Sequence, residues 1–387
     1  MGTIWTILIV GLGLLLSYLG LAVVLARHWR VPWPATETII RELPTPGHHV
    51  VLYHLPPERP RFREPVVICH GLGANRYNVD FVDDGQGRDR SSLARALQRA
   101  GFDIWILELR GHGNASVPRG AKWSVDDQVN EDVSEAVQTV LELTNAPTLL
   151  WVGHSWGGLL PVLFKIRQRP LSEHIRAIVS IGSPFTMPAK SSIGRMAPML
   201  RRWIEVIGRP IPLRLLSRLV LPAVYLWPRW PRTWSAPLAP MSPGTIRGIL
   251  SSMTEDIPVG LLRQIVHWVE LGYLADERGT PDYERFERLT TPTLLVAGAK
   301  DHIAPPSSIA WLRDRAGEDV TMKIMGRGTG CAADYGHGGL ILSDRAPDEV
   351  FPIIRAWLAA RATPLRWGKS KGSNGNGGFV QGGFRTN

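Results

Sequence analysis

The sequence predicts an α/β fold with a doubly wound, mostly parallel sheet, an inserted helical cap and an N-terminal transmembrane helix. Short runs rich in Val, Ile and Leu are apolar throughout, as in strands buried on both faces of a parallel sheet. These runs alternate with longer segments of helical periodicity, except across residues 184–289. The chain also begins with one long uncharged stretch.

Residues 4–26 form the predicted transmembrane anchor, because they contain no charged residue. As a helix they would extend about 34 Å, enough to cross a hydrocarbon core of about 30 Å. The run ends at Arg27, His28 and Arg30. A signal peptide cleaved after Ala26 is the alternative, but the apolar run is long and no basic segment precedes it. We therefore expect an uncleaved, single-pass membrane protein.

The orientation of the anchor follows from its flanking charges. Arginines follow the span and none precedes it. The positive-inside rule therefore predicts that the domain after the anchor faces the cytoplasm. Residues 27–46, rich in proline, are expected to be a juxtamembrane linker.

The folded core is expected to comprise residues 47–183 and 290–362, which carry the alternating strands and helices. The strand candidates are Val50–Leu55, Pro65–Cys69, Ile104–Leu109, Thr148–Val152, Ile175–Ile181, Thr293–Ala297 and Met322–Met325. The helix candidates are Ser92–Ala100, Ser124–Leu143, Gly158–Gln168, Ser307–Arg315 and Ala346–Ala360. Ser124 is a credible N-cap because acidic residues follow it in the first turn.

Residues 184–289 are predicted to be a helical cap inserted into the core. They are rich in Pro, Trp and Arg and contain helical patterning without a convincing strand. A structureless loop of this length is implausible in a compact domain, so we expect a lid over the site. Residues 363–387, mostly Gly, Asn and Ser near the end, are expected to be a flexible tail.

The strongest chemical signal is a G-x-S-x-G motif at residues 153–157, placed between an apolar strand and a helix. This context is typical of a nucleophile elbow, a tight turn that needs small residues around the serine. Ser155 is therefore the predicted nucleophile. A serine hydroxyl needs a neighbouring base to remove its proton.

Two later residues are expected to complete a catalytic triad with Ser155. Asp301 follows a late apolar strand, at the carboxyl edge where such sheets build their sites. His337 follows the next strand, in a loop ahead of the final helix. The order serine, acid, histidine is the order that this arrangement uses. His337 is the predicted general base, and Asp301 would orient its imidazole.

An oxyanion hole is predicted from the segment His70-Gly71-Leu72-Gly73, which follows an early strand. The backbone N–H groups of Leu72 and Trp156 would stabilise the negative charge of the tetrahedral intermediate. His70 and His112 are expected to be structural.

These motifs together resemble the α/β-hydrolase superfamily. The segments that carry the resemblance are HGLGANRYN, FDIWILELRGHG, GHSWGG, GAKD and YGHGG. The nearest likeness is to the branch of acid lipases and polyhydroxyalkanoate synthases, although those synthases use cysteine where this chain has Ser155. This departure from the synthases argues for hydrolysis rather than polymerisation. The resemblance assigns the same roles to Ser155, Asp301, His337, Leu72 and Trp156.

Charge and cysteine content restrict the other classes of function. The formal net charge is +10, but the basic residues concentrate in the cap and form no recognisable nucleic-acid-binding motif. The two cysteines have neither disulfide nor zinc-site spacing. We therefore expect no cofactor, no metal and no nucleic-acid partner.

The segment from Lys190 to Arg232 contains nine Lys or Arg residues and one acid, Glu205, interleaved with tryptophans. Basic amphipathic segments with tryptophan can lie in a membrane interface, which predicts a lid that contacts lipid. The alternative is a lid over a soluble ester pocket whose arginines are merely solvated.

The expected function is a membrane-anchored serine hydrolase that cleaves lipid or acyl esters through an acyl-enzyme. An acyltransferase or thioesterase would use the same triad. A silent hydrolase fold that binds lipid is the alternative outside enzymes.

Overall fold

A computed structural model describes residues 2–32, 36–81, 92–226 and 239–365. Its strands are β1 Glu37–Glu42, β2 His49–Leu55, β3 Val66–Cys69, β4 Ile104–Glu108, β5 Leu149–His154, β6 Ile175–Ile181, β7 Thr293–Gly298 and β8 Val320–Met325. They form one sheet in the order β1-β2-β4-β3-β5-β6-β7-β8. The pairs β1–β2 and β2–β4 are antiparallel and the other pairs are parallel.

The helices begin with α1 Gly2–His28, and the others lie between or after the strands. They are α2 Leu93–Arg99, α3 Val125–Asp127, α4 Val133–Thr144, α5 Trp156–Ile166, α6 Ser192–Val206, α7 Leu213–Leu226, α8 Pro243–Gly248, α9 Val259–Leu271, α10 Pro306–Arg313, α11 Gly339–Leu342, α12 Ala346–Glu349 and α13 Phe351–Ala359. A π-helical turn, Gln128–Asp132, joins α3 to α4. The predicted N-cap at Ser124 is confirmed, because its hydroxyl accepts from Asp127 N and the Asp127 carboxylate accepts from Ser124 N.

The core lies on both faces of the sheet, as the uniformly apolar strand sequences predict. Val67 and Cys69 of β3 contribute to one buried cluster, whereas Val66 and Ile68 contribute to the other. Successive side chains of a strand point to opposite faces, so a strand covered on both sides is apolar throughout. The predicted doubly wound, mostly parallel α/β sheet is confirmed.

One strand was not among the sequence candidates. β1 lies inside the predicted juxtamembrane linker and pairs antiparallel with β2 from Glu37–His54 to Glu42–His49. Its residues are exposed or only half-buried, because β1 is an edge strand. A search for uniformly apolar runs therefore passes over it.

Between β6 and β7 the described residues contain α6, α7, α8 and α9 and no strand longer than an isolated bridge. Helix α6 packs on α9 around Leu200, Leu262 and Val266. Helix α7 packs against α1, and the Tyr18 hydroxyl donates to Leu219 O at 2.6 Å. The cap segment at 227–238 and the tail at 366–387 lie outside the described residues.

Helix α1 contains the predicted anchor and extends it by two residues at each end. Its segment Ile9–His28 has a mean hydropathy of 2.4 and is long and apolar enough to cross a membrane. A signal sequence near an N-terminus passes the same test of length and composition.

Candidate active site

Ser155 lies in a strained turn between β5 and α5. Its backbone has φ 54° and ψ −115°, a conformation that costs free energy for a residue with a side chain. The neighbouring glycines are required by space: a Cβ on Gly153 would lie 2.0 Å from Gly157 O, and one on Gly157 would lie 2.4 Å from Cys69 O. The turn is fixed by Ser155 N, which donates to Ile181 O at 2.6 Å. The geometry is that of a nucleophile elbow.

Asp301 and His337 are in direct contact. His337 Nδ1 lies 2.8 Å from Asp301 Oδ2. The other carboxylate oxygen, Oδ1, accepts from Ile303 N and Ala304 N at 2.8 Å each. Asp301 is 2% exposed, so both of its oxygens are held in place away from solvent. A carboxylate held in this way would accept from Nδ1–H of His337 and leave Nε2 as the atom that accepts a proton.

His337 contacts His154, the residue directly before Ser155. The rings of His154 and His337 have centroids 4.8 Å apart, and His154 Nε2 lies 3.2 Å from His337 O. Within the described residues, no hydrogen bond is recorded from the Ser155 hydroxyl to the His337 imidazole. Such contacts often tighten only when substrate binds.

The predicted oxyanion residues are Trp156, directly after the serine, and Leu72, in a loop close to it. A Cβ on Gly71 would lie 3.3 Å from Ser155 Cβ, so the loop containing Leu72 approaches the nucleophile closely. Within the described part of the chain no hydrogen bond is recorded from the N–H groups of Leu72 or Trp156. The prediction that these two N–H groups stabilise an oxyanion requires that they have no other acceptor.

His70 and His112 occupy buried positions behind the site. His70 Nδ1 lies 2.8 Å from Gly71 O, and its Nε2 accepts from Leu109 N at 3.2 Å. Burial lowers the pKa of His70 to about 3 and that of His112 to about 4. Both rings are therefore neutral at physiological pH, which agrees with a structural role.

Two further residues that sequence reasoning did not single out support the site. Asn78 Oδ1 accepts from Gly71 N at 2.9 Å and lies 3.1 Å from His154 Nδ1. Gly182 has φ +62°, and a Cβ there would lie 3.4 Å from His337 Nδ1. Only the position of Gly182, directly after an apolar strand, could have drawn attention to it in the sequence.

A comparison with protein families gives a match to the α/β hydrolase fold over residues 64–318. The chain belongs to the α/β-hydrolase family. Human lipase member K is 21% identical over 362 residues, which cover 84% of this chain and 87% of that protein. The monoacylglycerol lipase of Mycolicibacterium smegmatis is 27% identical, with 68% and 79% covered.

Among solved structures, a bacterial membrane phospholipase A aligns with a TM-score of 0.50 and 18% identity, covering 93% of this chain and 95% of that one. At this identity the likeness concerns the fold. These findings confirm the predicted α/β-hydrolase of esterase or lipase type, and they support a carboxylic ester hydrolase.

Proposed function

We propose that this α/β-hydrolase is a membrane-anchored serine esterase that cleaves lipid or other acyl esters through an acyl-enzyme on Ser155. The observation that carries the proposal is the strained Ser155 turn beside the hydrogen-bonded pair of His337 and Asp301. A serine held in this conformation costs stability, which is typical of a functional site.

In the proposed reaction, His337 Nε2 removes the proton of the Ser155 hydroxyl as its oxygen attacks the ester carbonyl. The N–H groups of Leu72 and Trp156 stabilise the resulting oxyanion. His337 then donates the proton to the leaving alcohol, which leaves an acyl group on Ser155. Water, deprotonated by His337, releases the acid and restores the hydroxyl. Asp301 stabilises the imidazolium in both steps.

The surface of α1 supports membrane anchoring. Its side chains Ile9, Leu14 and Val24 are 67, 68 and 61% exposed, and they belong to a helix long enough to span a bilayer. Such a large exposed apolar surface is typical of contact with lipid. The arginines after the span favour a cytoplasmic location for the hydrolase domain.

The cap supports a substrate that resides in the membrane. Leu215 and Leu226 on α7 and Met199 and Val206 on α6 are all exposed. Tyr18, which contacts α7, lies nine residues before Arg27. At about 1.5 Å per residue Tyr18 lies roughly 13 Å before Arg27, so α7 packs along the half of the proposed span nearer the hydrolase domain. The similar proteins include lipases and a membrane phospholipase, which supports a lipid ester as the substrate class.

Hydrolysis of p-nitrophenyl esters from acetate to palmitate by the purified full-length protein tests the catalytic proposal. Ser155→Ala should reduce turnover by about 10⁴-fold or more and abolish labelling by a fluorophosphonate probe, because the triad acts as a unit. Ser307→Ala, on an exposed serine, is the matched control and should have no effect. Normal turnover by Ser155→Ala would overturn the assignment.

Membrane anchoring is tested separately from catalysis. The full-length protein should resist extraction from membranes with alkaline carbonate, and its N-terminus should remain ahead of the span. A mature N-terminus at Arg27 would instead establish a cleaved signal peptide.

A further inference from the structure

Five segments that are distant in sequence line a cavity at the end of the proposed anchor. They are the end of α1 with the residues after it, two core segments at residues 75–77 and 113–114, the first half of α7, and the segment from Ser251 to Glu255. The cavity has a volume of about 690 Å³. This volume lies in the range of ordinary small-molecule sites.

Hydrogen bonds from the core and from the cap hold the walls of this cavity in place. Val31 N donates to Ser252 Oγ at 2.9 Å, and the Tyr77 hydroxyl donates to Val31 O at 2.8 Å. The Ser251 hydroxyl donates to Trp29 O at 2.7 Å. The end of the anchor is therefore fixed against the hydrolase domain, and the cavity is part of the fold.

The cavity is strongly basic. Arg27 and Arg30 line it from the end of the anchor, and Arg214 and Arg218 line it from α7. Glu255 is the one acidic residue among those described that line it, and it forms an ion pair with Arg214. For Arg27, Arg30 and Arg218 no ion pair with a described acidic residue is recorded.

Three guanidinium groups without a described acidic partner line one cavity, and an anion among them would be attracted by all three. Guanidinium groups bind phosphate oxygens through paired hydrogen bonds. Asn75, Asn114 and Ser252 supply further polar groups to the lining. The chemistry is therefore that of a phosphate site.

The position of the cavity indicates where the phosphate comes from. Val23 and Ala26 of α1 contribute an apolar wall, and the exposed apolar surface of the anchor continues away from it. A glycerophospholipid has the matching distribution, with a phosphate at the level of Arg27 and acyl chains along the helix. Basic pockets at the cytoplasmic ends of membrane helices bind anionic lipid headgroups.

We propose that this cavity binds the headgroup of an anionic phospholipid from the leaflet that contains the end of the anchor. The proposal depends on the proposed membrane anchoring and is independent of catalysis at Ser155. The bound lipid would bridge α1 and α7 through the arginines of both helices, and would therefore hold the cap against the anchor.

Lipid binding can be measured by calorimetric titration of the full-length protein in a neutral, phosphate-free detergent. The probe is a short-chain diether phosphatidylglycerol, whose ether bonds an esterase does not cleave. The variant Arg30→Gln with Arg218→Gln removes one charge from each wall and leaves Arg27 to preserve orientation and Arg214 to pair with Glu255. Each basic residue near an anionic lipid contributes roughly fivefold in affinity, so we expect a loss of about 25-fold.

The matched control is Arg59→Gln with Arg288→Gln, which removes the same charge from two exposed residues that do not line the cavity. It should bind the probe like the wild type. The variant Arg30→Lys with Arg218→Lys keeps the charge but loses the paired hydrogen bonds, so its affinity should lie between those of the wild type and the Gln variant, which separates loss of charge from misfolding.

Three results would overturn the proposal. Diether phosphatidylcholine binding as tightly as phosphatidylglycerol would show no preference for an anionic headgroup. Inorganic phosphate binding as tightly would show a site for free phosphate. Equal losses in the Arg30/Arg218 and Arg59/Arg288 variants would show that net charge alone determines binding. The Arg30→Gln/Arg218→Gln variant should hydrolyse a soluble ester at the wild-type rate. Failure of the lipid-binding proposal is therefore distinguishable from failure of the catalytic proposal.

Discussion

Replacement of Asp301 by Asn tests whether the acid acts by setting the tautomer of His337. The Oδ1 atom of Asp301 accepts from Ile303 N and Ala304 N at 2.8 Å each. In Asp301→Asn these two donors would require the amide oxygen at the same place. The amide NH₂ would then face His337 Nδ1, which could only accept. The imidazole proton would be on Nε2, the atom that must receive the proton of Ser155.

We therefore expect Asp301→Asn to reduce turnover by about 10⁴-fold, which corresponds to about 5.5 kcal/mol of lost transition-state stabilisation. Folding should be nearly unaffected, since the two backbone hydrogen bonds are kept. Hydrolysis of p-nitrophenyl butyrate measures the first effect, and the midpoint of thermal unfolding measures the second.

Asp314→Asn is the control for Asp301→Asn, because it removes a carboxylate charge from an exposed residue that contacts Arg313. It should leave turnover unchanged. In a Ser155→Ala background Asp301→Asn should cause no further loss, because the two residues act in one unit. Turnover within tenfold of the wild type in Asp301→Asn alone would refute the tautomer argument.

Two further predictions concern stability. Gly182→Ala places a Cβ on a residue with φ +62°, so we expect the free energy of unfolding to fall by about 1–2 kcal/mol. Gly328→Ala is the control, because Gly328 has neither a positive φ nor a close neighbour. Equal urea midpoints for the two variants would contradict the reasoning. His70 and His112 have folded pKa values of about 3 and about 4, below the ordinary 6.5, so the unfolded chain binds more protons as the pH falls through that range. Their contribution to the free energy of unfolding is present above pH 6.5 and is lost as the pH falls towards the folded pKa values. Urea unfolding at a series of pH values measures this loss, and the free energy of unfolding should depend less on pH in His112→Leu than in the wild type.

Most of the sheet was predictable because its strands are buried on both faces. β3, β5 and β7 are buried along their whole length and mostly apolar, and each is followed by a turn that contains chemically distinctive residues. β1 was not predictable by the same criterion, because it is an exposed edge strand inside a segment taken for a linker. The π-helical turn between α3 and α4 also has no sequence signature, so one continuous helix was expected there.

The candidate triad could be proposed from the sequence because each member lies in a loop after a strand, in an order that the fold uses. Ser155 directly follows β5, and Asp301 and His337 lie in the loops after β7 and β8. The contacts that position these residues are not local. Asn78 binds the oxyanion loop and reaches His154, which is far away in sequence. Gly182 lies against the pair of His337 and Asp301 only because β6 is next to β7 in the sheet. Sequence patterns identify the reacting groups better than the groups that hold them.

The packing of the anchor also bears on the alternative of a cleaved signal peptide. Cleavage after Ala26 would remove Tyr18, which donates to Leu219 O, and would uncover the face of α7 that packs on α1. A signal peptide is removed before the domain is complete, so a folded domain has no reason to contain a surface that fits it. The fit between α1 and α7 therefore supports retention of the helix.

The same packing links the anchor to the candidate site. Glu255 N donates to Gly73 O at 2.8 Å, and Asn75 Nδ2 donates to Glu255 Oε1 at 2.8 Å. Glu255 also pairs with Arg214 on α7, the helix that packs on α1. A continuous series of contacts thus runs from the proposed membrane helix to the loop that contains Leu72. In the proposed membrane-anchored enzyme, a helix bonded to the domain in this way would fix the height and tilt of Ser155 above the lipid surface, which a flexible tether would leave undetermined.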